Sequence, residues 1–234
     1  MKLNILLCDR FPGLLPEYIP SYESMFVKLF RGCCDELEYK VFAVMDGIMP
    51  LAADDGAVNL ITGCNMSAYD DVPWIDRLRE WVREAHCQRL PMVGICFGHQ
   101  LIAQALGGKV ERSSRGWGTG IREARLVGEE ARRHFPRQRM RLMYNHHDQV
   151  VELPEGATLF ATSPFCPIEG YTIGHHIITF QGHPEYDPQY AVHLLMDFAD
   201  AEPIEVRRAA LRSIGNYAHD GALVARWIAE RQWR

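Results

Sequence analysis

The stretch Pro91-Met92-Val93-Gly94-Ile95-Cys96-Phe97-Gly98-His99-Gln100 constrains the chain most: a short apolar run stops at a glycine-bracketed cysteine, and a helical pattern follows. That order reads as strand, sharp turn, helix. Gly94-Ile95-Cys96-Phe97-Gly98 has the G-x-nucleophile-x-G spacing of a nucleophile elbow, with cysteine in the nucleophile's place. A strained turn of this kind needs small neighbours, and it lifts the side chain off the sheet into a cleft. The helix then begins at the sulfur. Its unpaired N–H groups and positive dipole end favour a thiolate, and the N–H after the cysteine can point at an oxyanion. Taken alone, the same spacing also suits a buried, inert cysteine at a strand end.

A second stretch supplies what a nucleophilic cysteine needs. Ile177-Ile178-Thr179-Phe180-Gln181 reads as a strand that runs into Gly182-His183-Pro184-Glu185. His183 and Glu185 sit two apart, so an extended backbone turns both the same way, and Pro184 biases His183 toward that conformation. A thiolate needs a base, and the base needs an orienting acceptor. Cys96, His183 and Glu185 fill those three roles.

Strands alternate with helices along the first half. Leu3 to Cys8 reads as a buried strand, Phe11 to Pro20 as a loop, and Ser21 as the cap of a helix whose buried stripe is Tyr22, Met25, Phe26, Leu29, Phe30 and Cys33. That aromatic stripe is expected to be core. Tyr39 to Val44 and Val58 to Thr62 read as the next strands. Pro73 opens a helix with Trp74, Leu78, Trp81, Val82 and Ala85 on one side, and the helix after Cys96 stops at Leu106-Gly107-Gly108. The pattern predicts an α/β doubly wound, flavodoxin-like sheet, with ligands at the carboxyl ends of its strands, where Gly63, Cys96 and His183 fall. Lys109 to Arg112, Gly120 to Val127, Arg139 to Tyr144, Ala157 to Thr162 and Ile168 to Ile173 read as short strands, partly antiparallel because their links are too short for crossover helices. Gln189 to Phe198, Glu205 to Ile214 and Ala222 to Trp233 read as helices. The 234 residues are therefore expected to form one domain, an α/β core over 1–187 with a C-terminal helical extension over 188–234.

Bulk properties narrow the function. A net charge of -5 argues against general nucleic-acid binding, and no stretch approaches a signal peptide or a membrane span, which makes the cytosol the expected location. Seven cysteines without framework spacing, two of them the adjacent Cys33 and Cys34, read as reduced. The pairs His146-His147 and His175-His176 would face opposite ways on a strand, without an accompanying H-x-x-x-H or C-x-x-C, so no metal site is expected. Gly107-Gly108-Lys109 lacks the rest of a phosphate loop, and no cofactor is called for. Arg137, Arg139 and Arg141 alternate, as on the solvated face of an edge strand; a docking patch for an acidic partner is the alternative.

With both motifs in place, the chain resembles the class I glutamine amidotransferases, strongly from Leu60 to Tyr186 and more loosely elsewhere. Gly94 to Gln100 matches that family's nucleophile motif, and Gln181-Gly182-His183-Pro184-Glu185 its His/Glu motif. Leu106-Gly107-Gly108-Lys109-Val110 looks like the glycine pair after the nucleophile helix. Asn145-His146-His147-Asp148-Gln149-Val150 looks like the substrate-side loop. Thr62 to Asp70 with Pro73-Trp74-Ile75 is similar to a stand-alone branch that resembles the amidotransferase domain of GMP synthetase and includes plant γ-glutamyl peptidases. Many members carry Gly-Gly-Pro where this chain has Gly63-Cys64-Asn65; backbone donation survives that change.

The resemblance implies attack by Cys96 on the γ-carbonyl of glutamine or a γ-glutamyl amide, giving a glutamyl thioester. His183 would serve as acid and then base, and Glu185 would orient it. The oxyanion would lie between the N–H of Phe97 and one from the Gly63-Cys64 turn. Gln100 and the backbone from Asn145 through His146 and His147 to Asp148 would hold the substrate's α-amino and α-carboxylate ends. The partner is then a small molecule. A glutaminase subunit that passes ammonia to a separate synthase chain is the alternative, and a catalytically dead binding module a remote third.

Overall fold

The protein is described from a computed structural model, over residues 1–11, 15–53, 55–197 and 203–233. Its first half alternates as expected: β1 (Lys2–Leu7), α1 (Tyr22–Arg31), β2 (Glu38–Ala43), β3 (Val58–Ile61), α2 (Pro73–Cys87), β4 (Met92–Ile95) and α3 (Phe97–Ala105). The second half adds β5 (Lys109–Arg112), β6 (Gly118–Leu126), α4 (Glu129–His134), β7 (Arg139–His146), β8 (Asp148–Glu152), β9 (Ala157–Thr162), β10 (Gly170–Ile173), β11 (Ile177–Phe180), α5 (Pro188–Asp197), α6 (Ile204–Asn216) and α7 (Gly221–Glu230). Residues 12–14 of the expected first loop, and Phe198 at the end of an expected helix, lie outside the described residues.

The main sheet is nine-stranded, in the order β2-β1-β3-β4-β11-β10-β9-β6-β7. Its left part, β2-β1-β3-β4-β11, is parallel, and the remaining strands are antiparallel. Reversal of the winding direction at β1 puts the carboxyl ends of β3, β4 and β11 side by side, the place where doubly wound sheets bind ligands. β11 is laid down late in the chain yet pairs with β4 in the register Phe180↔Ile95, so the residues that follow the two strands emerge as neighbours.

Alternation along each strand sends side chains to two separate cores. Leu3, Ile5 and Leu7 of β1 pack with Tyr22 and Phe26 of α1 and with Trp227 of α7 on one face. Leu6 packs with Leu78 and Val82 of α2 and Leu101 of α3 on the other. Each such side chain contributes about 1.5–3 kcal/mol on burial. Trp227 is 1 % exposed and meets Phe160, Phe180 and Phe135 edge-on, so the C-terminal helical segment is built into the core of the sheet.

Several local expectations are corrected, and one element is added. Asn145 to Val150 is not a free loop but the end of β7, a turn at His147 and the start of β8, which pairs with β5 to bury Val150 and Val110. Helix α4, too short to announce itself by periodicity, lies between β6 and β7. Ser21 occupies the N-cap of α1, but its side chain caps nothing; the N–H of Ser24 reaches the Ser21 carbonyl instead, at 3.2 Å. Trp74 is only half-buried, tilted against Phe97, while Ile75 takes the buried position on α2. β7 is an edge strand whose Arg139 and Arg141 both pair with Glu123 on β6, while Arg137 lies in the turn before it and not on the strand face.

Candidate active site

Cys96 stands between β4 and α3 with φ 50° and ψ −101°, a left-handed conformation that a non-glycine residue adopts at a cost of about 1–3 kcal/mol. The flanking glycines make the turn possible. A Cβ on Gly98 would lie 2.3 Å from the carbonyl oxygen of Ile61, and one on Gly94 would lie 2.7 Å from the Gly98 backbone. The Cys96 N–H is held by the Phe180 carbonyl at 2.9 Å, which locks the elbow to β11.

His183 follows β11 and is 2 % exposed. Its N–H reaches the carbonyl of Met143 on β7 at 2.7 Å, its own carbonyl lies 3.0 Å from Nε2 of His219, and its ring stacks on Tyr186 with centroids 4.0 Å apart. Nδ1 lies 2.7 Å from Oε1 of Glu185, and the Cys96 sulfur is close enough to act on the ring electrostatically. Burial alone would lower the proton affinity of this imidazole; the Glu185 carboxylate and the Cys96 sulfur outweigh it and raise the pKa to about 10.

Glu185 accepts a second bond at Oε1, from the Tyr22 hydroxyl at 2.8 Å. The same hydroxyl accepts the N–H of Gly63 at 3.2 Å. Of the two N–H groups expected from this turn, Gly63's is therefore engaged, which leaves that of Cys64. The Cys64 side chain turns back on its own loop, its sulfur accepting the Met66 N–H at 3.4 Å.

A cleft of ≈ 50 Å³ opens in front of the sulfur. Its walls bring together Cys96, Cys64, Gln100, Asn145, His146, His147 and Asp148, and add Asn65, Met66 and Trp117; His183 and Glu185 are not among them. A larger cavity, ≈ 660 Å³, lies on the far side of the pair, walled by Met25, Pro184, Glu185, Tyr186 and His219; Cys96 does not line it, so the smaller cleft is the one that meets the sulfur's residue. Asp148 is bonded by His147 at 2.6 Å, Ser67 at 2.5 Å and Tyr69 at 3.3 Å. Burial pushes its pKa up, but those bonds prevail and hold it below the usual carboxylate range. The Gln100 amide donates to the Asp148 carbonyl at 2.7 Å and to Oε1 of Gln181 at 3.1 Å, and Gln181 in turn points its amide at Sγ of Cys96, at 3.7 Å. Gln100 thus stiffens the wall and has its carbonyl oxygen left to offer. Among the described residues no group of three or more His, Cys, Asp or Glu side chains could hold a metal ion, and no helix is long and apolar enough to cross a membrane.

Sequence reasoning assigned no role at the site to Tyr22, His219, Gln181 or Trp117. Gln181 was signalled by its place in the His183 motif. Tyr22 was signalled only as one ring in a core stripe, and nothing local marked His219.

These features describe a buried cysteine on a strand–helix elbow of an α/β sheet beside a histidine–glutamate pair, and comparison with known proteins gives the family. The family model for glutamine amidotransferase class-I matches residues 64–200. γ-Glutamyl peptidase 3 of Arabidopsis thaliana is 35 % identical over 198 residues, covering 80 % of this chain and 77 % of that protein. One subunit of the glutamine-hydrolysing GMP synthase of Archaeoglobus fulgidus is 35 % identical over 115 residues, covering 47 % of this chain and 61 % of that one. A glutamine amidotransferase structure from Thermotoga maritima superposes with a TM-score of 0.74 at 20 % identity over 97 % of both chains, a likeness of fold. The chain belongs to the class I glutamine amidotransferase family, and γ-glutamyl peptidases are among its relatives.

Proposed function

We propose that this protein is a cysteine-dependent hydrolase of γ-glutamyl amides that works unaided through a glutamyl thioester on Cys96. The observation that carries the reading is the His183–Glu185 pair, bonded at 2.7 Å and electrostatically coupled to a Cys96 that stands on a strained elbow and lines a cleft. Sγ attacks the γ-carbonyl carbon, and the oxyanion is met by the N–H groups of Phe97 and Cys64. Collapse breaks the C–N bond, with the proton of the His183 imidazolium passing to the leaving nitrogen. The imidazole, now neutral, takes a proton from water, whose oxygen attacks the thioester carbon. The C–S bond then breaks, glutamate leaves, and Cys96 and His183 return to their starting state. Glu185 holds the ring throughout.

Coverage of 77 % of the Arabidopsis peptidase supports a self-sufficient enzyme. A second reading, a glutaminase subunit that delivers ammonia to a synthase chain, draws on the likeness to one chain of a GMP synthase. Glutamate release by the purified chain, over glutamine and a panel of γ-glutamyl peptides and amines, separates the two. Turnover of a γ-glutamyl compound that disappears in Cys96→Ser is expected. Silence across the panel by a folded protein would contradict self-sufficient hydrolysis and favour the second reading.

A further inference from the structure

The Tyr22 hydroxyl joins two parts of the site that come from opposite ends of the chain. It accepts from the Gly63 N–H at 3.2 Å and donates to Oε1 of Glu185 at 2.8 Å. A phenol has one hydrogen to give, so this is the arrangement that satisfies both neighbours. The ring is completely buried, edge-on to Phe11 and Phe26, with Tyr186 and Cys96 also facing its hydroxyl. Burial and the adjacent carboxylate push its pKa well above the ordinary tyrosine range, so it stays a donor. Oε1 of Glu185 is also the atom that meets Nδ1 of His183, and a single carboxylate oxygen therefore serves both Tyr22 and the imidazole.

We propose that Tyr22 is a positioning residue that sets the catalytic pair and the Gly63–Cys64 turn relative to each other. Through Glu185 it fixes the orientation and the proton affinity of His183. Through Gly63 it withdraws one N–H of the turn and so selects that of Cys64 for the oxyanion. The proposal rests on reading Cys96, His183 and Glu185 as a triad. The sign of the effect follows from hydrogen bonding: each donor to a carboxylate weakens its hold on a proton and on a neighbouring cation. Without the hydroxyl, Glu185 binds the imidazolium more tightly, and His183 keeps its proton to higher pH.

Tyr22→Phe deletes the hydroxyl and keeps the ring and its packing. The first arm of the test is an NMR pH titration of the His183 ring nitrogens in the Cys96→Ala protein, with and without Tyr22→Phe, each with Glu185 present and as Glu185→Gln; it requires no substrate. The second arm is kcat and KM on the best γ-glutamyl amide, with Cys96 intact. Tyr22→Phe should raise the His183 midpoint by about half a unit or more while Glu185 is present, and leave it in place in Glu185→Gln. It should lower kcat roughly tenfold, with KM changed less than about twofold. A midpoint that does not move, or that moves as far without Glu185, overturns the role of Tyr22. An intact enzyme that turns nothing over overturns the catalytic reading instead, and the titration still decides whether Tyr22 acts through Glu185.

Discussion

His183 and His146 are two histidines beside one cleft, buried to nearly the same extent, and their proton affinities move in opposite directions. His183 is 2 % exposed and His146 4 %. His183 follows the last parallel strand and faces the Glu185 carboxylate and the Cys96 sulfur, which overcome burial and raise its pKa to about 10. His146 ends β7 in the antiparallel part. Burial lowers its pKa well below the ordinary value, and the neighbouring Arg122, His183, His99 and His147 push the same way. Burial is common to both; the charge of the surroundings decides which ring can carry and deliver a proton. His146 is a neutral wall of the cleft.

Removing the sulfur tests this contrast most severely. Cys96→Ala should cut glutamate release by more than about a thousandfold and leave the thermal midpoint nearly unchanged. Cys96→Gly should be as inactive yet more stable, because it relieves the left-handed strain at φ 50°. Surviving turnover in either would remove Cys96 from the mechanism.

Glu185→Gln takes away the charge that separates the two histidines. The His183 pKa then falls, the imidazolium is lost at lower pH, and the basic limb of the kcat/KM profile moves down, with a rate loss of about 10- to 100-fold near neutral pH. A basic limb that stays where it was would show that Glu185 does not hold the proton on His183. His146→Gln sharpens the comparison from the other side: KM should change and both limbs of the pH profile should stay in place. A displaced limb would mean that His146 titrates in turnover.

The smallest expected effect concerns a second buried acid, Glu169, near Arg122. Its pKa is raised to about 7, because burial outweighs the bond from Ser163, the nearby Tyr144 hydroxyl and the charge of Arg122. A carboxyl whose folded value lies above its unfolded one favours the native state when protonated. That stability is present below the ordinary carboxylate range and is lost as pH rises through about 7. Glu169→Gln should therefore unfold a few degrees higher than the wild type in alkaline buffer, with the gap closing as the pH falls. Equal midpoints at every pH would show that Glu169 is not a strained buried carboxyl.

The parallel part of this molecule was legible in the sequence because its signals are local. The elbow at Cys96, the turn after β3 and the His183-Pro184-Glu185 step each announce themselves within a few residues, and doubly wound topology brings strand ends together without further information. What the sequence concealed depends on pairings across the fold. The Tyr22 hydroxyl meets Glu185 across 163 positions, and helical periodicity reports only that the ring is inside. His219 reaches the His183 carbonyl from the approach to α7, where no nearby pattern points to a site. β8 reads as loop because Asp148 to Glu152 spends its first polar residues on the cleft and gains strand character only by pairing with β5.

The most direct measurement is the mass of the intact protein, quenched in acid during turnover of a γ-glutamyl amide and followed by peptide mapping. The account predicts one glutamyl group on the peptide that contains Cys96, accumulating when Glu185→Gln slows hydrolysis of the thioester and absent in Cys96→Ala. Turnover with no adduct, or with the adduct on another residue such as Cys64, would contradict it.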